Sequence, residues 1–278
     1  MDSEREHTPP LKIEKESRQV VILGDSFMFG WGVESSQTFA AYLEQRLNDL
    51  LSQNVIVHSL AIPGTGQVTQ LSILERNIRF NPDIVIVGMY ITDHVASGND
   101  LIDNLNETYK YNSIDSLDKN SNDIHKIDIL RQIRRWLKTH SNLYRFIETR
   151  LSAILLAKFS DSINIESDPK VMQQAWAVTD SVLYEMKKVS NSNNAQLIIQ
   201  YIPNMLDVAQ ENKKTYNHLQ KICNERDIYL APDPIDILSP KTSQLNDFYY
   251  VTDGHWTPEA HKIAAKLTSL YITEIIQY

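Results

Sequence analysis

The chain has 278 residues, of which 42% are hydrophobic and 22% are charged, and its formal net charge is −8. This length and composition are typical of a soluble globular chain with a sizeable core, arranged as one large domain or two small ones. The acidic balance and the lack of a long basic stripe argue against a nucleic-acid partner. Because Cys223 is the sole cysteine, an intramolecular disulfide and a multi-cysteine zinc site are excluded.

The N-terminal stretch, residues 1–18, is polar and charged and is predicted to form a tail. It contains Pro9-Pro10 and no apolar segment of the kind that a signal peptide needs. No later apolar run is long enough for an integral membrane segment. We therefore expect a soluble, cytoplasmic protein, with a trimmed N-terminal anchor as the alternative.

The first predicted strand, Val20 to Leu23, ends abruptly at Gly24-Asp25-Ser26. A glycine permits a sharp turn at this point, and Asp or Ser can cap a following helix. A serine at the carboxyl end of a central parallel strand lies where open α/β sheets bind their ligands. The alternative is that Asp25 and Ser26 serve only as turn and cap residues.

Strands and helices are predicted to alternate along most of the chain. The run Ile84 to Met89 is continuously apolar, which is typical of a parallel strand covered on both faces. Alternation of this kind indicates βαβ units with right-handed crossovers. The further predicted strands are residues 54–60, 84–89, 196–202 and 228–230, and the predicted helices are residues 38–51, 68–79, 171–189, 213–226 and 258–275.

An insertion is predicted from about Ala96 to Asp168. Gly98 to Asp123 is rich in Asn, Asp and Ser and is interpreted as a long loop. Ile127 to Phe159 has apolar residues at helical spacing and is predicted to form a helical cap over the active-site end of the sheet. The alternative is a membrane-surface helix, since basic side chains lie between the apolar positions: Arg131, Arg134, Arg135 and Lys138.

The stretch from Val20 to Val33, with Gly24-Asp25-Ser26 and Trp31-Gly32-Val33, resembles block I of the SGNH/GDSL hydrolases. The resemblance implies a three-layer α/β/α sandwich with a five-stranded parallel sheet in flavodoxin-like order. It implies a single domain at residues 19–278, with the helical insertion at about 96–168. In that family the serine of Gly-Asp-Ser is the nucleophile, which is Ser26 here, and neither a cofactor nor a metal is implied.

Asp253-Gly254-His255, just before the last predicted helix, resembles block V of the same family. The resemblance makes His255 the base that takes the proton of Ser26 and Asp253 the group that orients the imidazole. The spacing is Asp-x-His rather than the more familiar Asp-x-x-His, and it is similar to that of the alginate-acetylation branch. The alternative is that Asp253 caps the approach to the last helix. His58 is predicted to be structural, His261 to be a packing or surface residue, and Cys223 to pack as a small apolar residue.

The loop from Ala61 to Gly66 resembles block II, where a glycine N–H contributes to the oxyanion hole. Gly64 is the better match, and Gly66 is the alternative in register. A turn glycine with no other role would give the same pattern. The resemblance also assigns the backbone N–H of Ser26 to the oxyanion hole.

The block III segment departs from the family pattern, Gly-x-Asn-Asp. The run here is Gly88-Met89-Tyr90-Ile91-Thr92-Asp93, in which Thr92 stands at the asparagine position. A hydroxyl can donate one hydrogen bond, so Thr92 is predicted to be the third oxyanion donor. The alternatives are that the hole is completed elsewhere, for which Tyr90 and His94 are near enough, or that activity is low.

The leading hypothesis is serine-dependent hydrolysis of a carboxylic ester through an acyl-enzyme, on a small-molecule, glycan or lipid ester. One alternative is an O-acyltransferase with the same triad. Another is a non-catalytic carbohydrate- or lipid-binding module in the same scaffold. A metal site can also be imagined from two histidines and two carboxylates, although the resemblance implies none: Asp93, His94, Asp253 and His255.

Overall fold

The computed structural model describes residues 17–91, 99–104, 106–108, 169–238 and 245–276. The strands are β1 Arg18–Leu23, β2 Val55–Ser59, β3 Ile84–Tyr90, β4 Gln196–Ile202 and β5 Tyr229–Leu230. The helices are α1 Ser26–Phe29, α2 Phe39–Leu50, α3 Gln67–Asn77, α4 Pro169–Ser192, α5 Met205–Gln210, α6 Lys214–Arg226, α7 Ile235–Leu238 and α8 Pro258–Ile276. Residues 100–104 and 106–108 are also helical.

The five strands form one parallel sheet in the order β2-β1-β3-β4-β5. This is the flavodoxin-like order, so the predicted fold class is confirmed. From β1 to β2 the chain crosses the sheet in one direction, and from β2 through β3, β4 and β5 it crosses in the opposite direction. Right-handed crossovers therefore put α2 on one face and α3, α4 and α6 on the other. Helix α8 packs against α2, which completes three layers.

The two central strands explain why the apolar runs in the sequence are continuous. Val20 to Leu23 of β1 and Ile84 to Val87 of β3 are all buried, because helices cover both faces of the sheet. Leu23 pairs with Val87 at the carboxyl ends of these strands. The carboxyl edge between β1 and β3 is the point where the strand order reverses, which is where α/β sheets of this kind bind ligands.

One predicted loop is wrong in part. Residues 100–104 and 106–108, inside the predicted loop Gly98 to Asp123, are helical. Asn99 caps this helix, since its Oδ1 accepts from the Leu101 N–H at 3.2 Å. The predicted helical cap at Ile127 to Phe159, with its basic residues, lies outside the described residues.

Several side chains have the structural roles predicted for them. The His58 ring is buried, with Nε2 2.8 Å from Gln19 Oε1. His261 is buried against Trp256, with the rings edge to face. Cys223 is buried in α6, and burial raises the pKa of its thiol to about 12, so it packs as a small apolar group. No helix in the described parts of the chain is both long and apolar enough to cross a membrane.

Candidate active site

Ser26 is the first residue of α1 and directly follows the turn after β1. Asp25 is the N-cap, and its Oδ1 accepts from the Phe27 N–H at 2.9 Å. Gly24 has a φ of 157°, and a Cβ at this position would lie 2.4 Å from Met28 Cγ. Only glycine fits this turn, which aims Ser26 at the carboxyl edge of the sheet.

Asp253 and His255 lie on a turn that is closed by an antiparallel bridge between Tyr249 and Trp256. The Tyr249 hydroxyl, which is buried, donates to the Pro203 carbonyl at 2.8 Å and ties the turn to the end of β4. Gly254 has a φ of 75°, a left-handed conformation that glycine adopts without strain. The turn therefore reaches the same edge of the sheet as the turn after β1.

The structure brings Ser26 and His255 together. His255 Nε2 lies 2.8 Å from Ser26 Oγ, although the two residues are 229 positions apart in the chain. This distance lies within the range for a nucleophile and its general base. In the tautomer with the proton on Nδ1, Nε2 accepts a hydrogen bond from the serine hydroxyl and can take its proton.

Asp253 approaches the imidazole but does not hold it tightly. Its Oδ1 lies 3.5 Å from His255 Nδ1, and the same oxygen accepts from the His255 backbone N–H at 3.1 Å. His255 Nδ1 has no hydrogen-bond partner among the described residues. The Asp253 side chain is 40% exposed and that of His255 is 20% exposed. A small rotation of the carboxylate would convert this contact into a hydrogen bond.

Aromatic rings fix the position of the imidazole. The Phe27 ring lies between those of His255 and Tyr90, with centroid distances of 4.9 and 4.7 Å. Trp256 packs edge-on against Phe27 at 5.7 Å. The Trp31 ring is 6.4 Å from that of His255 and is half exposed, so it borders the opening of the site.

The loop after β2 lies beside the Ser26 turn, because the Ile62 N–H donates to the Gly24 carbonyl at 3.0 Å. Gly64, in this loop, is exposed and has a φ of 73°. The Gly66 N–H, by contrast, donates to Glu107 Oε1 at 3.0 Å. Since that donor is already engaged, the geometry favours Gly64 over Gly66. Thr92, Asp93 and His94 lie outside the described residues, so the prediction for Thr92 stays a prediction.

Sequence reasoning missed Asn99 and Asp100, which are both buried near the end of β3. Asp100 Oδ2 accepts from the Tyr90 N–H at 2.8 Å and from Gln67 Nε2 at 2.7 Å. The signal that could have revealed them is Gly98-Asn99-Asp100, which contains the Asn-Asp pair of block III farther along the chain than the segment aligned with it.

The carboxyl groups of Asp25 and Asp100 have perturbed ionisation. Burial raises the pKa of Asp25 to about 7, against the opposing effect of the hydrogen bond from the Phe27 N–H. Burial, and next the charge of Asp25, raises the pKa of Asp100 well above its usual range. No group of three or more metal-ligating side chains occurs among the described residues, and the Asp93 and His94 of the imagined metal site are not among them.

Several solved structures resemble this one over nearly the whole chain. The lipase Lip_vut3 from a goat rumen metagenome matches with a TM-score of 0.55 and 12% identity, over 91% of this chain and 96% of its own. The psychrotrophic esterase EstA from Pseudoalteromonas sp. matches with a TM-score of 0.51 and 12% identity, over 94% and 100%. Axe2, an acetylxylan esterase from Geobacillus stearothermophilus, matches with a TM-score of 0.50 and 11% identity, over 90% and 92%.

The chain therefore has the same α/β fold as these esterases and lipases, which is the fold class that its sequence motifs predict. A scan against models of protein families finds none that matches, and a search of curated proteins finds no match. At sequence identities this low, the similarity extends to the fold and does not by itself define the chemistry, which depends on the residues of the site.

Proposed function

We propose that the protein is a serine-dependent carboxylic ester hydrolase of the SGNH type. The observation that carries this proposal is the 2.8 Å contact between Ser26 Oγ and His255 Nε2, formed by two turns that are far apart in the chain and meet at one edge of the sheet. A binding module would not need a serine hydroxyl hydrogen-bonded to an imidazole in an open site.

In the proposed reaction, Ser26 Oγ attacks the ester carbonyl while His255 Nε2 takes the hydroxyl proton. The tetrahedral intermediate collapses as His255 gives that proton to the leaving alcohol oxygen, which leaves the acyl group on Ser26. Water then attacks the acyl-enzyme, His255 takes its proton, and the carboxylic acid is released with Ser26 restored. Asp253 stabilises the imidazolium that forms in each half of the cycle.

The oxyanion would be held by the backbone N–H groups of Ser26 and Gly64 and by one side-chain donor. Thr92 is the donor predicted from the sequence, and Asn99 is a second candidate. Asn99 is buried near the end of β3, its Oδ1 accepts from the Leu101 N–H, and its side-chain amide also carries a donor group, Nδ2. Asn99→Ala and Thr92→Ala distinguish the two, since losing an oxyanion donor costs about 100- to 1000-fold in kcat.

The proposed substrate is an ester with an apolar portion near the opening of the site. Trp31, Ile62 and Val251 are exposed large hydrophobic residues on the turns that carry or flank Ser26 and His255. An acyl chain or the apolar face of a sugar ring could cover them. The similar folds include both a lipase and an acetylxylan esterase, so acetyl and longer acyl esters are both candidates.

The test is hydrolysis of p-nitrophenyl acetate and p-nitrophenyl octanoate by the wild-type protein, Ser26→Ala and His255→Gln. We expect turnover by the wild type and a loss of at least about 1000-fold in each variant. An alkyl phosphonate probe should label the wild-type protein at Ser26 and leave Ser26→Ala unlabelled. Turnover that survives in Ser26→Ala would refute the proposal.

The same experiment separates hydrolysis from acyl transfer. A single burst of nitrophenol without turnover, followed by turnover when a sugar or another hydroxyl acceptor is added, would identify an O-acyltransferase. A folded protein that gives neither a burst nor a phosphonate adduct would support the non-catalytic binding module.

A further inference from the structure

Two buried carboxyl groups lie behind Ser26, and the proposed reaction uses neither of them. Asp25 is 5% exposed and Asp100 is fully buried. Asp25 follows β1, and Asp100 accepts a hydrogen bond from the Tyr90 N–H at the end of β3. Since Leu23 pairs with Val87, the segments that hold these two carboxyl groups leave adjacent strands at the same level of the sheet.

The two oxygens of Asp100 have different surroundings. Oδ2 accepts two hydrogen bonds, at 2.8 Å from the Tyr90 N–H and at 2.7 Å from Gln67 Nε2. Oδ1 is buried and has no hydrogen-bond partner among the described residues. A charged oxygen in that position would be both desolvated and unpaired, which is the costly state for a buried carboxylate.

The groups around the pair add negative rather than positive charge. The charge of Asp103, from the same segment as Asp100, acts on both carboxyl groups, and the charge of Asp25 acts on Asp100. Burial, and next the charges of Asp25, Asp207 of α5 and Asp100, raises the pKa of the Tyr90 hydroxyl. Glu107 points to the N-terminus of α3. Within the described part of the chain, no lysine or arginine forms an ion pair with either member of the pair.

We propose that Asp25 and Asp100 form a pair of neighbouring buried carboxyl groups in which Asp100 carries a proton on Oδ1 at neutral pH. The pair are positioning residues: Asp100 holds the end of β3 and α3, and Asp25 holds the first turn of α1, where Ser26 lies. The catalytic consequence rests on the proposed function, but the protonation itself does not. Two neighbouring buried carboxyl groups cannot both ionise cheaply, and protonation of one of them removes that penalty.

The pair predicts a definite dependence of stability on pH. Each carboxyl has a pKa in the folded protein above its ordinary value, so the folded state retains protons that the unfolded chain releases. The stabilising contribution of the pair is complete below the unfolded pKa. It decreases as the pH rises from about 4 toward 7, where Asp25 ionises.

The first experiment compares thermal unfolding of the wild type, Asp25→Asn and Asp100→Asn between pH 5 and 8. An amide imitates the neutral carboxyl and cannot lose a proton. The melting temperature of each variant relative to the wild type should therefore rise with pH. Asp83→Asn is the matched control, because Asp83 is exposed and its Oδ2 also accepts from a backbone N–H. Its difference from the wild type should stay flat.

The second experiment measures kcat/KM on p-nitrophenyl acetate for Asp100→Asn and Asp100→Ala at pH 7. The asparagine can accept from both Tyr90 N–H and Gln67 and should remain close to the wild type. The alanine leaves both donors without their partner and should lose about tenfold or more. An infrared band of a protonated carboxylic acid at pH 7, present in the wild type and lost in Asp100→Asn, would show the proton directly.

Two results would overturn the proposal. One is a melting-temperature difference for Asp100→Asn that stays flat or falls as the pH rises, because that requires an ionised Asp100 in the folded state. The other is a loss of kcat/KM in Asp100→Asn as large as in Asp100→Ala. Unfolding and infrared measurements need no substrate, so they distinguish failure of this inference from failure of the proposed esterase activity.

Discussion

Asp253 is held differently from the buried aspartate of a tightly assembled triad. It is 40% exposed and stands 3.5 Å from His255 Nδ1, while Phe27 and Trp31 pack beside the imidazole. Where the aspartate is buried and hydrogen-bonded, replacing it by asparagine lowers kcat about 10⁴-fold. For the proposed triad, we expect the aromatic rings to supply part of the orientation that the aspartate supplies there.

We therefore expect Asp253→Ala to lower kcat for p-nitrophenyl acetate by clearly less than that factor of about 10⁴, with KM little changed. Asp247→Ala is a suitable control, since this aspartate lies in a nearby turn and is not part of the proposed triad. A loss in Asp253→Ala equal to that in Ser26→Ala would mean that the carboxylate, and not the aromatic packing, orients the imidazole.

Met28 occupies space that two glycines leave open beneath Ser26. A Cβ at Gly88 would lie 2.1 Å from Met28 Cγ, so the Met28 side chain in its present position and an alanine at residue 88 cannot both fit. Gly88→Ala should destabilise the protein by about 1–3 kcal/mol through overpacking. Chemical denaturation measures this loss, and Met28→Ala in the same chain should recover part of it. Equal stabilities for the Gly88→Ala single and double variants would contradict this explanation.

At the scale of elements, the apolar pattern of the sequence predicted those strands and helices that bury an apolar face. Strands β1, β3 and β4 and helices α2 and α8 were predicted to within two residues at each end, because their sequences carry the period of the element. Helices α5 and α7 have six and four residues, too few turns to show a period. The helical residues 100–104 and 106–108 were missed because the buried side chains among them include Asp100 and Asn104, which a hydrophobic pattern cannot reveal.

That polar helix is fixed to α3 by specific hydrogen bonds. The Glu107 carboxylate accepts from the Gly66 N–H at 3.0 Å and from the Thr69 N–H at 2.9 Å. It also accepts from the Thr69 hydroxyl. The backbone donors belong to the start of α3, where N–H groups have no partner within the helix and where the helix dipole favours a negative charge.

Glu107→Ala should lower the free energy of unfolding by about 1–3 kcal/mol, because backbone donors at the start of α3 lose their acceptor. Urea denaturation measures the change. The matched control is Glu75→Ala. Glu75 lies within α3 and its side chain is exposed, so the free energy of unfolding should change by no more than about 0.5 kcal/mol. Similar values for the two variants would show that the contact contributes nothing to stability.

At the scale of the whole molecule, the buried histidine in α8 should limit stability in acid. Burial, and next the charge of His255, lowers the pKa of His261 to about 3, so the folded protein keeps this ring neutral. The unfolded chain takes up the proton as the pH falls below about 6.5. Stability that is present above that value is therefore lost between about pH 6.5 and 3.

His261→Leu should reduce this loss. Between pH 6.5 and 5 the wild type should lose about 2 kcal/mol through this group, and the variant should not. Thermal unfolding at pH 5 and 7 measures the difference, with His218→Leu as a comparison because His218 is less buried and is stacked on Trp176. A wild-type melting temperature that does not respond more steeply to acid than that of His261→Leu would contradict the assignment.

The sheet order and the pairing of Ser26 with His255 were open to prediction because short motifs mark the turns at strand ends. The carboxyl pair was not predicted, because block III was aligned at Thr92-Asp93, while the Asn-Asp pair that lies at the end of β3 is in Gly98-Asn99-Asp100, within a stretch interpreted as a loop. A turn residue is recognised by its neighbours in sequence, whereas a buried polar contact depends on two segments meeting in space.

The separation of 229 positions between Ser26 and His255 has a consequence during synthesis of the protein on the ribosome. At 5–20 residues per second, roughly 10 to 50 seconds pass between synthesis of the serine and synthesis of the histidine. For most of its synthesis the nascent chain therefore contains Ser26 without His255. On the proposed function, ester turnover can begin only after the turn with His255 has been made and folded, so activity would report completion of the chain.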